Sequence, residues 1–274
     1  SLETKLKVGC LGPEMSYSNL ALIRYFGSSV TTSFESSINN IFDEVDSNNC
    51  HYGIVPIENS SQGSIKETLD NLISSKLSIC GEVNLKVQHC LLTKARSFSS
   101  IKSIYAHGQS FLQCNQWLEK NLPNTRRIDA TSNSAAVKKI SKMTNSAAIA
   151  SEYSSLFYQI PILKKNINDY KDNTTRFIVI GKNNVLRSGN DKTSILVSIA
   201  NKSGSLSKLL KPLAEQRITM TKIESIPTKI NNWEYMFVID IKGHKDDEKV
   251  NKVLTQMGKN SVFFKVLGSY PTNE

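Results

Sequence analysis

The sequence predicts an α/β fold, with a parallel or mixed sheet followed by a smaller second domain. Over the first two-thirds of the 274 residues, strand-like and helix-like segments alternate, as they do in sheets covered by helices on both faces. The composition agrees, because 39% hydrophobic and 21% charged residues are ordinary for a globular protein. Ligands of such sheets bind beyond the carboxyl ends of the strands, so chemistry is expected in the loops that follow them.

Each element of this first part has its own pattern. The helices carry apolar residues at i, i+3, i+4 and i+7, most clearly over 38–45, and the strands are short apolar runs that end in turn signals such as Gly12-Pro13. The predicted strands are 5–11, 30–34, 52–57, 103–107 and 146–150, and the predicted helices are 18–26, 38–45, 65–77, 110–120 and 132–143.

The character of the sequence changes after Gly181. The polar stretch 183–192 is typical of a linker. The remaining predicted elements are a strand at 194–200, a helix around 206–214, strands at 218–224 and 233–241, a helix at 250–257 and a strand at 261–267. Ser205 is a candidate N-cap of the first of these helices, and Pro212 should kink it. The order βαββαβ is the ferredoxin-like arrangement and predicts a second domain at 193–272.

Several classes of function are disfavoured. No window approaches eighteen consecutive apolar residues, so no transmembrane helix is expected, and the N-terminus lacks the apolar core of a signal peptide. Five cysteines without a CxxC pair and four scattered histidines predict reduced thiols, a cytoplasmic location and no zinc site. The net charge of +10 comes from dispersed lysines. It indicates a solvated basic surface, or a potential that attracts a small anion, rather than a nucleic-acid partner.

The loop after the third predicted strand is the first candidate site. An apolar run ends in Glu58, Asn59 and Ser60, and a loop this dense in polar groups can wrap a ligand, with Glu58 donating or orienting a proton. The alternative is a capping loop, in which Ser64 opens a helix and Glu67 completes a capping box.

Thr175 and Arg176 form the second candidate site, because they lead into a buried strand. Arg suits bidentate recognition of a carboxylate, and a Thr hydroxyl can donate a hydrogen bond or relay a proton. The alternative is a turn that feeds a strand, with Arg176 in a structural ion pair.

Three further strand ends meet helix starts. In 106–114, Gln113 is the ligand candidate, while the histidine and cysteine lack the surroundings of a thiol protease and are assigned to structure. Thr131 and Ser132 lie at a helix N-terminus, where they either contribute to an anion site or only cap the helix. Ser16, in the turn 12–18, is a similar case.

These motifs and their order resemble those of prephenate dehydratases over nearly the whole chain. Residues 12–18 are similar to the family's Gly-Pro-x-x-(Ser/Thr)-(Tyr/Phe)-Ser signature, and 55–60 to its Val-Pro-(Val/Ile)-Glu-Asn-(Ser/Thr) motif. Residues 175–177 are similar to the Thr-Arg-Phe motif, whose Thr is regarded as essential for catalysis, and the His-Cys-Leu-Leu of 89–92 recurs in many members. The tail resembles the ACT domain fused to these enzymes, including 222–225 and 233–235.

The resemblance implies a catalytic domain at 5–182 that is similar to type II periplasmic binding proteins, with a substrate cleft between two lobes. Lobe one would comprise about 5–85 and 164–182, and lobe two about 86–163. A linker at 183–192 would join this domain to an ACT regulatory domain at 193–272. Family habit also implies a homodimer or homotetramer that assembles through the ACT domains.

The resemblance also implies a reaction. Prephenate, a dianionic cyclohexadiene, loses carbon dioxide and hydroxide to become phenylpyruvate, and neither a metal nor an organic cofactor is needed. Thr175 is expected to donate a proton to the leaving hydroxyl, while Arg176 and Glu58 support its position and polarity. The residues expected to bind the carboxylates or the ring hydroxyl are Asn59, Ser60, Gln113, Ser16, Ser132 and Thr131.

Phenylalanine is the effector that the resemblance implies. Its expected site in the ACT domain comprises Gly204, Ser205, Leu206, Glu224 and Ser225. The chain departs from the family there, with Gly-Ser-Leu-Ser for Gly-Ala-Leu-Val at 204–207 and Glu-Ser-Ile-Pro for Glu-Ser-Arg-Pro at 224–227. A third departure is Ala-His-Gly-Gln for Ser-His-Pro-Gln at 106–109. Because the departures at 204–207 and 224–227 lie in the expected effector site, they affect feedback inhibition more than catalysis.

Two other functions remain open on the sequence. Arogenate dehydratase shares the fold and the chemistry but takes a substrate with an amino group. A non-catalytic amino-acid sensor is the other alternative, and the presence of Thr175, Arg176, Glu58 and Asn59 argues against it. The chain starts without Met, which permits a chorismate mutase domain upstream.

Overall fold

The computed structural model describes residues 5–227 and 234–273. Its strands are β1 (Lys7–Leu11), β2 (Thr31–Glu35), β3 (Tyr52–Asn59), β4 (Gly63–Ser64), β5 (Ser78–Lys86), β6 (Cys90–Thr93), β7 (Ser103–Ala106), β8 (Arg126–Asp129), β9 (Ser146–Ala150), β10 (Ile162–Lys164), β11 (Thr174–Gly181), β12 (Asp191–Ala200), β13 (Met220–Ile226), β14 (Glu234–Lys242) and β15 (Phe263–Pro271). Its helices are α1 (Tyr17–Phe26), α2 (Ile38–Asp46), α3 (Lys66–Ser74), α4 (Gly108–Gln113), α5 (Asn115–Asn121), α6 (Asn133–Ile140), α7 (Glu152–Tyr158), α8 (Ser205–Glu215) and α9 (Glu248–Lys259).

Two mixed sheets confirm the predicted α/β class. The first has the order β2-β1-β3-β11-β5, with β4 paired to β3, and the second has the order β10-β6-β9-β7-β8. Parallel pairs such as β1–β2 and β7–β9 occur beside antiparallel pairs such as β6–β9. Strand β9 is buried at all five positions, because Ala147 and Ile149 face one apolar cluster and Ala148 and Ala150 face another.

The third sheet confirms the ferredoxin-like βαββαβ order. Its strands run β13-β14-β12-β15, and the neighbours are antiparallel. Alternate residues of β12 (Ile195, Val197 and Ile199) pack with buried side chains of α8 and α9, as the period of two in a strand requires. Trp233, the first residue of the predicted strand 233–241, lies outside the described residues.

Several local predictions were wrong. The segment 110–120 is two helices, since Cys114 ends α4 with φ −118° and ψ 13°. Gly204, at φ 81°, takes the N-cap position of α8 that Ser205 was expected to hold. Helix α8 continues past the buried Pro212 to Glu215, so the proline does not end it, and the kink expected at Pro212 stays a prediction.

The capping-box alternative for the loop after β3 was also wrong. Ser64 belongs to β4, where it pairs with Glu58. The Glu67 Oε1 atom instead accepts a hydrogen bond from the backbone N–H of Asn39 at 3.2 Å. The loop is therefore closed by strand pairing.

By the density of its contacts, the chain divides into two units. The first comprises the chain up to Ile38 together with Ile54–Ile65 and Val83–Phe177, and the second comprises Asn39–Gly53, Lys66–Glu82 and the chain from Ile178 onward. Within the described ranges, no helix is long and apolar enough to cross a membrane.

A buried ion pair fastens β12 to β5 within the second unit. The Lys192 Nζ atom lies 3.1 Å from Glu82 Oε1, and the two side chains are only 4% and 6% exposed. The Thr272 hydroxyl donates a further hydrogen bond to the same carboxylate oxygen at 2.8 Å. Loss of one member would leave the charge of the other buried without this opposite charge, which is far more costly than loss of both.

We therefore expect Lys192→Met to lower the free energy of unfolding by about 3–5 kcal/mol in urea titrations. Lys192→Met combined with Glu82→Leu should recover part of that loss. The control is Lys66→Met, which breaks the exposed Lys66–Asp70 pair and should cost less than about 1 kcal/mol. A Lys192→Met protein as stable as the control would contradict this account.

Candidate active site

A pocket of about 350 Å³ lies within the first unit, where strand ends of both mixed sheets meet helix starts. Its walls come from the turn after β1, the end of β3, the start of β11 and the loops before α4, α6 and α7. No Asp, Glu, Lys or Arg among residues 5–227 and 234–273 lines it. The wall consists of hydroxyl, amide and imidazole groups with a few apolar side chains.

Thr175 and Asn59 face each other across neighbouring strands of the first sheet. The Asn59 Nδ2 group donates to Thr175 Oγ1 at 2.9 Å. The Asn59 Oδ1 atom accepts from the backbone N–H of Ser61 at 2.9 Å and from its hydroxyl at 2.6 Å. A backbone N–H can only donate, so it fixes the orientation of the Asn59 amide. The Thr175 hydroxyl oxygen therefore accepts a hydrogen bond from Asn59 and lines the pocket.

Glu58 and Arg176 do not line this pocket. Successive residues of a strand point to opposite faces, and the pocket is lined by Asn59, Thr175 and Phe177. On the other face, Arg176 Nη1 lies 3.1 Å from Glu58 Oε1, and the Arg176 side chain is 7% exposed. The pair links β3 to β11 directly behind Asn59 and Thr175, so the structural alternative for Arg176 is the observed arrangement.

Helix starts supply polar groups to the pocket. The Ser16 hydroxyl caps α1 by accepting from Asn19 N, and the Ser132 hydroxyl caps α6 by accepting from Ala135 N at 3.0 Å. Both N-cap residues line the pocket, as does Thr131. The first N–H groups of a helix have no partner inside the helix and carry a partial positive charge, which favours a bound anion.

Gln113 lines the pocket at the end of α4, and its Oε1 atom lies 2.6 Å from Nε2 of His89. His89 is 1% exposed, and burial lowers the pKa of its imidazole below the ordinary value of 6.5. The ring of Tyr17 meets the His89 ring edge-on, with 6.1 Å between the centroids. Burial also raises the pKa of the Tyr17 hydroxyl, so this side of the pocket is uncharged near neutral pH.

The structure brings most of the predicted binding residues together. Of those expected to contact the substrate, the pocket is lined by Asn59, Gln113, Ser16, Ser132 and Thr131. Ser60 is outside it and joins β3 to β11, because its Oγ accepts from Thr174 N at 2.9 Å.

Several pocket residues were not singled out from the sequence. They are Tyr17, His89, Asn133, Ser134, Ser151 and Ser154. Ser151 could have been found, because it follows a buried strand and caps α7 just as Ser132 follows β8 and caps α6. Asn133 could not, since its importance lies in contacts to distant residues: its Oδ1 accepts from His107 N at 3.0 Å and its Nδ2 donates to the Ser110 hydroxyl at 2.7 Å.

A second cavity, of about 450 Å³, lies in the ferredoxin-like part of the chain. Four of the five predicted effector residues line it: Gly204, Ser205, Leu206 and Ser225. Glu224 does not, because it alternates with Ser225 along β13 and pairs with Lys222 at 3.3 Å. The remaining wall includes the aromatic rings of Tyr235 and Phe237.

Comparison with known proteins gives consistent matches. The family model for prephenate dehydratase matches residues 8–185, and that for the ACT domain matches 193–258. A bifunctional chorismate mutase/prephenate dehydratase of Pseudomonas aeruginosa is 40% identical over 272 residues, which cover 99% of this chain and 74% of that protein.

Solved structures agree. The prephenate dehydratase of Arthrobacter aurescens in complex with L-Phe superposes with a TM-score of 0.85 at 28% identity, covering 97% of this chain and 90% of that one. The prephenate dehydratase of Staphylococcus aureus gives a TM-score of 0.79 at 24% identity, covering 97% and 100%, and shows the fold alone.

Proposed function

This chain belongs to the prephenate dehydratase family, and we propose that the pocket beside Thr175 is where it converts prephenate to phenylpyruvate. The observation that carries the proposal is the Asn59–Thr175 hydrogen bond at the wall of a pocket that is also lined by the N-cap residues of α1 and α6. We further propose a catalytic domain at 5–182, a linker at 183–192 and a regulatory domain at 193–272. The five free, buried cysteines support a reducing, cytoplasmic setting.

The reaction makes modest demands on the protein. The electron pair of the bond to the ring carboxylate becomes a ring π bond, and the pair of the carbon–hydroxyl bond leaves with oxygen. One proton must be added, so prephenate and a proton give phenylpyruvate, carbon dioxide and water. Formation of the aromatic ring supplies the driving force, and the site has to hold a dianion and protonate the leaving hydroxyl.

Thr175 is the proposed proton donor. A Thr hydroxyl is a weak acid, and a hydrogen bond donated to its oxygen stabilises the charge that develops as the proton leaves. Asn59 supplies that bond, and Ser61 prevents the Asn59 amide from turning over. Glu58 and Arg176 support Thr175 indirectly, because their ion pair sets the spacing of β3 and β11, as Ser60 does through Thr174.

The proposed contacts to the two carboxylates are neutral. The donors are Gln113, the hydroxyls of Ser132 and Thr131, and the N–H groups at the starts of α1 and α6. The Ser16 hydroxyl donates to the Leu11 carbonyl at 2.9 Å and caps α1, so Ser16 contributes by holding that helix start in place. Oriented dipoles can stabilise an anion without cationic side chains.

We expect Thr175→Val to reduce kcat by about 10²–10⁴-fold, because it removes the proton donor at nearly constant volume. The matched control is Thr174→Val on the same strand, which lies outside the pocket wall and should retain kcat within about threefold. Phenylpyruvate formation is measured by its absorbance in alkali. Equal losses in the two variants, or a wild-type chain without activity, would contradict the proposal.

The pocket also favours prephenate over arogenate. Arogenate carries an ammonium group where prephenate carries a keto group. In the described part of the chain, no carboxylate lines the pocket, so the protein would supply no counter-charge to that ammonium, and the helix N-termini nearby would repel it.

We expect kcat/KM to be higher for prephenate than for arogenate by roughly a hundredfold or more, since an unpaired buried charge costs several kcal/mol. Both substrates are compared on the same enzyme preparation, with product amino acid or keto acid quantified by chromatography. Comparable values for the two would show that the pocket does not discriminate by charge.

Phenylalanine is the proposed inhibitor, bound in the cavity of the ACT domain. The start of α8 offers N–H groups to its carboxylate, and Leu206, Tyr235 and Phe237 offer an apolar surface to its ring. The Arthrobacter aurescens relative was solved with L-Phe.

We also propose a homodimer or homotetramer that assembles through the ACT domains, since β13 lies at the edge of its sheet and can pair with the edge strand of another copy.

Leu206→Ala should raise the phenylalanine concentration for half-inhibition about tenfold, because it removes apolar contact with the ring. Leu186→Ala is the matched control: Leu186 is 86% exposed and does not line the cavity. Activity is followed at increasing phenylalanine, and binding is measured by calorimetry. Absence of both inhibition and binding in the millimolar range would overturn the proposed regulation.

A further inference from the structure

His89 is held rigidly at the edge of the pocket. It lies just before β6, its backbone N–H donates to Asn168 Oδ1 at 2.6 Å, and its carbonyl accepts from Ile167 N at 3.0 Å. The side chain is 1% exposed. With its backbone anchored on both sides and its ring buried, His89 presents Nε2 to Gln113 from a fixed position.

The 2.6 Å contact between His89 Nε2 and Gln113 Oε1 allows two arrangements of protons. In the first, Nε2 carries the proton and donates to the Gln113 oxygen, so the Gln113 NH₂ group is available to the pocket. In the second, the Gln113 amide is turned over and donates to Nε2, so its oxygen faces the pocket. The tautomer of His89 therefore determines whether Gln113 is a donor or an acceptor there.

The surroundings favour the first arrangement. Within the described residues, His89 Nδ1 has no hydrogen-bond partner. The second arrangement would place a proton on that buried atom, leaving a donor unsatisfied. It would also turn a carbonyl oxygen toward a carboxylate. Burial keeps the imidazole neutral, so a single proton is present, and it belongs on Nε2.

We propose that His89 is a positioning residue whose Nε2–H holds the Gln113 carboxamide with its NH₂ group toward a substrate carboxylate. This inference rests on the proposed function, because it takes Gln113 to contact the substrate. His89 itself neither donates nor accepts the proton of the reaction. It acts on substrate affinity through Gln113, and so its effect should vanish when Gln113 cannot hydrogen-bond.

The test compares His89→Gln, which retains a donor at the position of Nε2, with His89→Asn, which stays polar but does not reach Gln113. Each is made in the wild type and in a Gln113→Met background. KM and kcat for prephenate are measured from pH 5.5 to 8.5, and thermal melting confirms folding. We expect His89→Asn to raise KM about tenfold with kcat nearly unchanged, and His89→Gln to stay within about twofold of wild type. In the Gln113→Met background, His89→Asn should add nothing further.

Three results would overturn the proposal. An equal fold-increase in KM for His89→Asn in the wild type and in the Gln113→Met background would show that His89 acts independently of Gln113. A step in the wild-type pH profile that is lost in His89→Gln would make His89 a titrating group in the reaction. An unchanged KM in Gln113→Met would remove Gln113 from the substrate site, and the His89 proposal with it. Inactivity of the wild type would instead refute the proposed function.

Discussion

The hydrogen bond from Asn59 to Thr175 joins two residues that are 116 positions apart in the chain. It forms only because β3 and β11 are neighbours in the first sheet. In the proposed function, every other group in the pocket acts relative to that hydroxyl. The sheet reinforces the bond from its opposite face, where the buried Arg176 side chain meets Glu58, and at the strand end, where Ser60 and Thr174 exchange hydrogen bonds.

Among the described residues, charged side chains are absent from the pocket wall and occur instead in contacts that join elements of the fold. A cation beside a dianion would strengthen binding of the substrate as much as of the transition state, which lowers KM without raising kcat. The pocket instead offers fixed dipoles, and full charges are used elsewhere in the fold to join elements. Lys192 pairs with Glu82, and Lys265 donates to the carbonyls of Leu72 and Ser75 at the end of α3, at 2.6 and 2.5 Å. Burial lowers the pKa of Lys265, and the helix carbonyls compensate part of its desolvation.

Three side-chain amides in the pocket wall are each held in one orientation by a neighbouring residue. Asn59, Asn133 and Gln113 each have one end of the side-chain amide fixed by a neighbour, so the other end presents a defined donor or acceptor. An amide that can turn over offers either polarity and selects poorly. In the proposed site, the orientation of these amides is set by Ser61, His107 and His89, which supply those contacts.

The sequence by itself determined the fold class, the order of most elements and the identity of some of the residues around Thr175. Periodicity and turn chemistry are local properties. The motifs at 12–18 and 55–60 follow or end a strand, and the motif at 175–177 begins one. The wrong local predictions concern where helices begin and end: the predicted helix 110–120 is divided at Cys114, and the N-cap of α8 is Gly204 instead of Ser205.

Only the tertiary structure decided which side of a strand each motif residue faces. Glu58 and Asn59 are adjacent in the chain, as are Thr175 and Arg176, yet one of each pair lines the pocket and the other does not. The same holds for His89 and Asn133, whose partners are distant in sequence. Which face of a strand borders the pocket, and which distant residues come into contact, are decided by long-range strand pairing and packing. A local pattern of residues does not specify them.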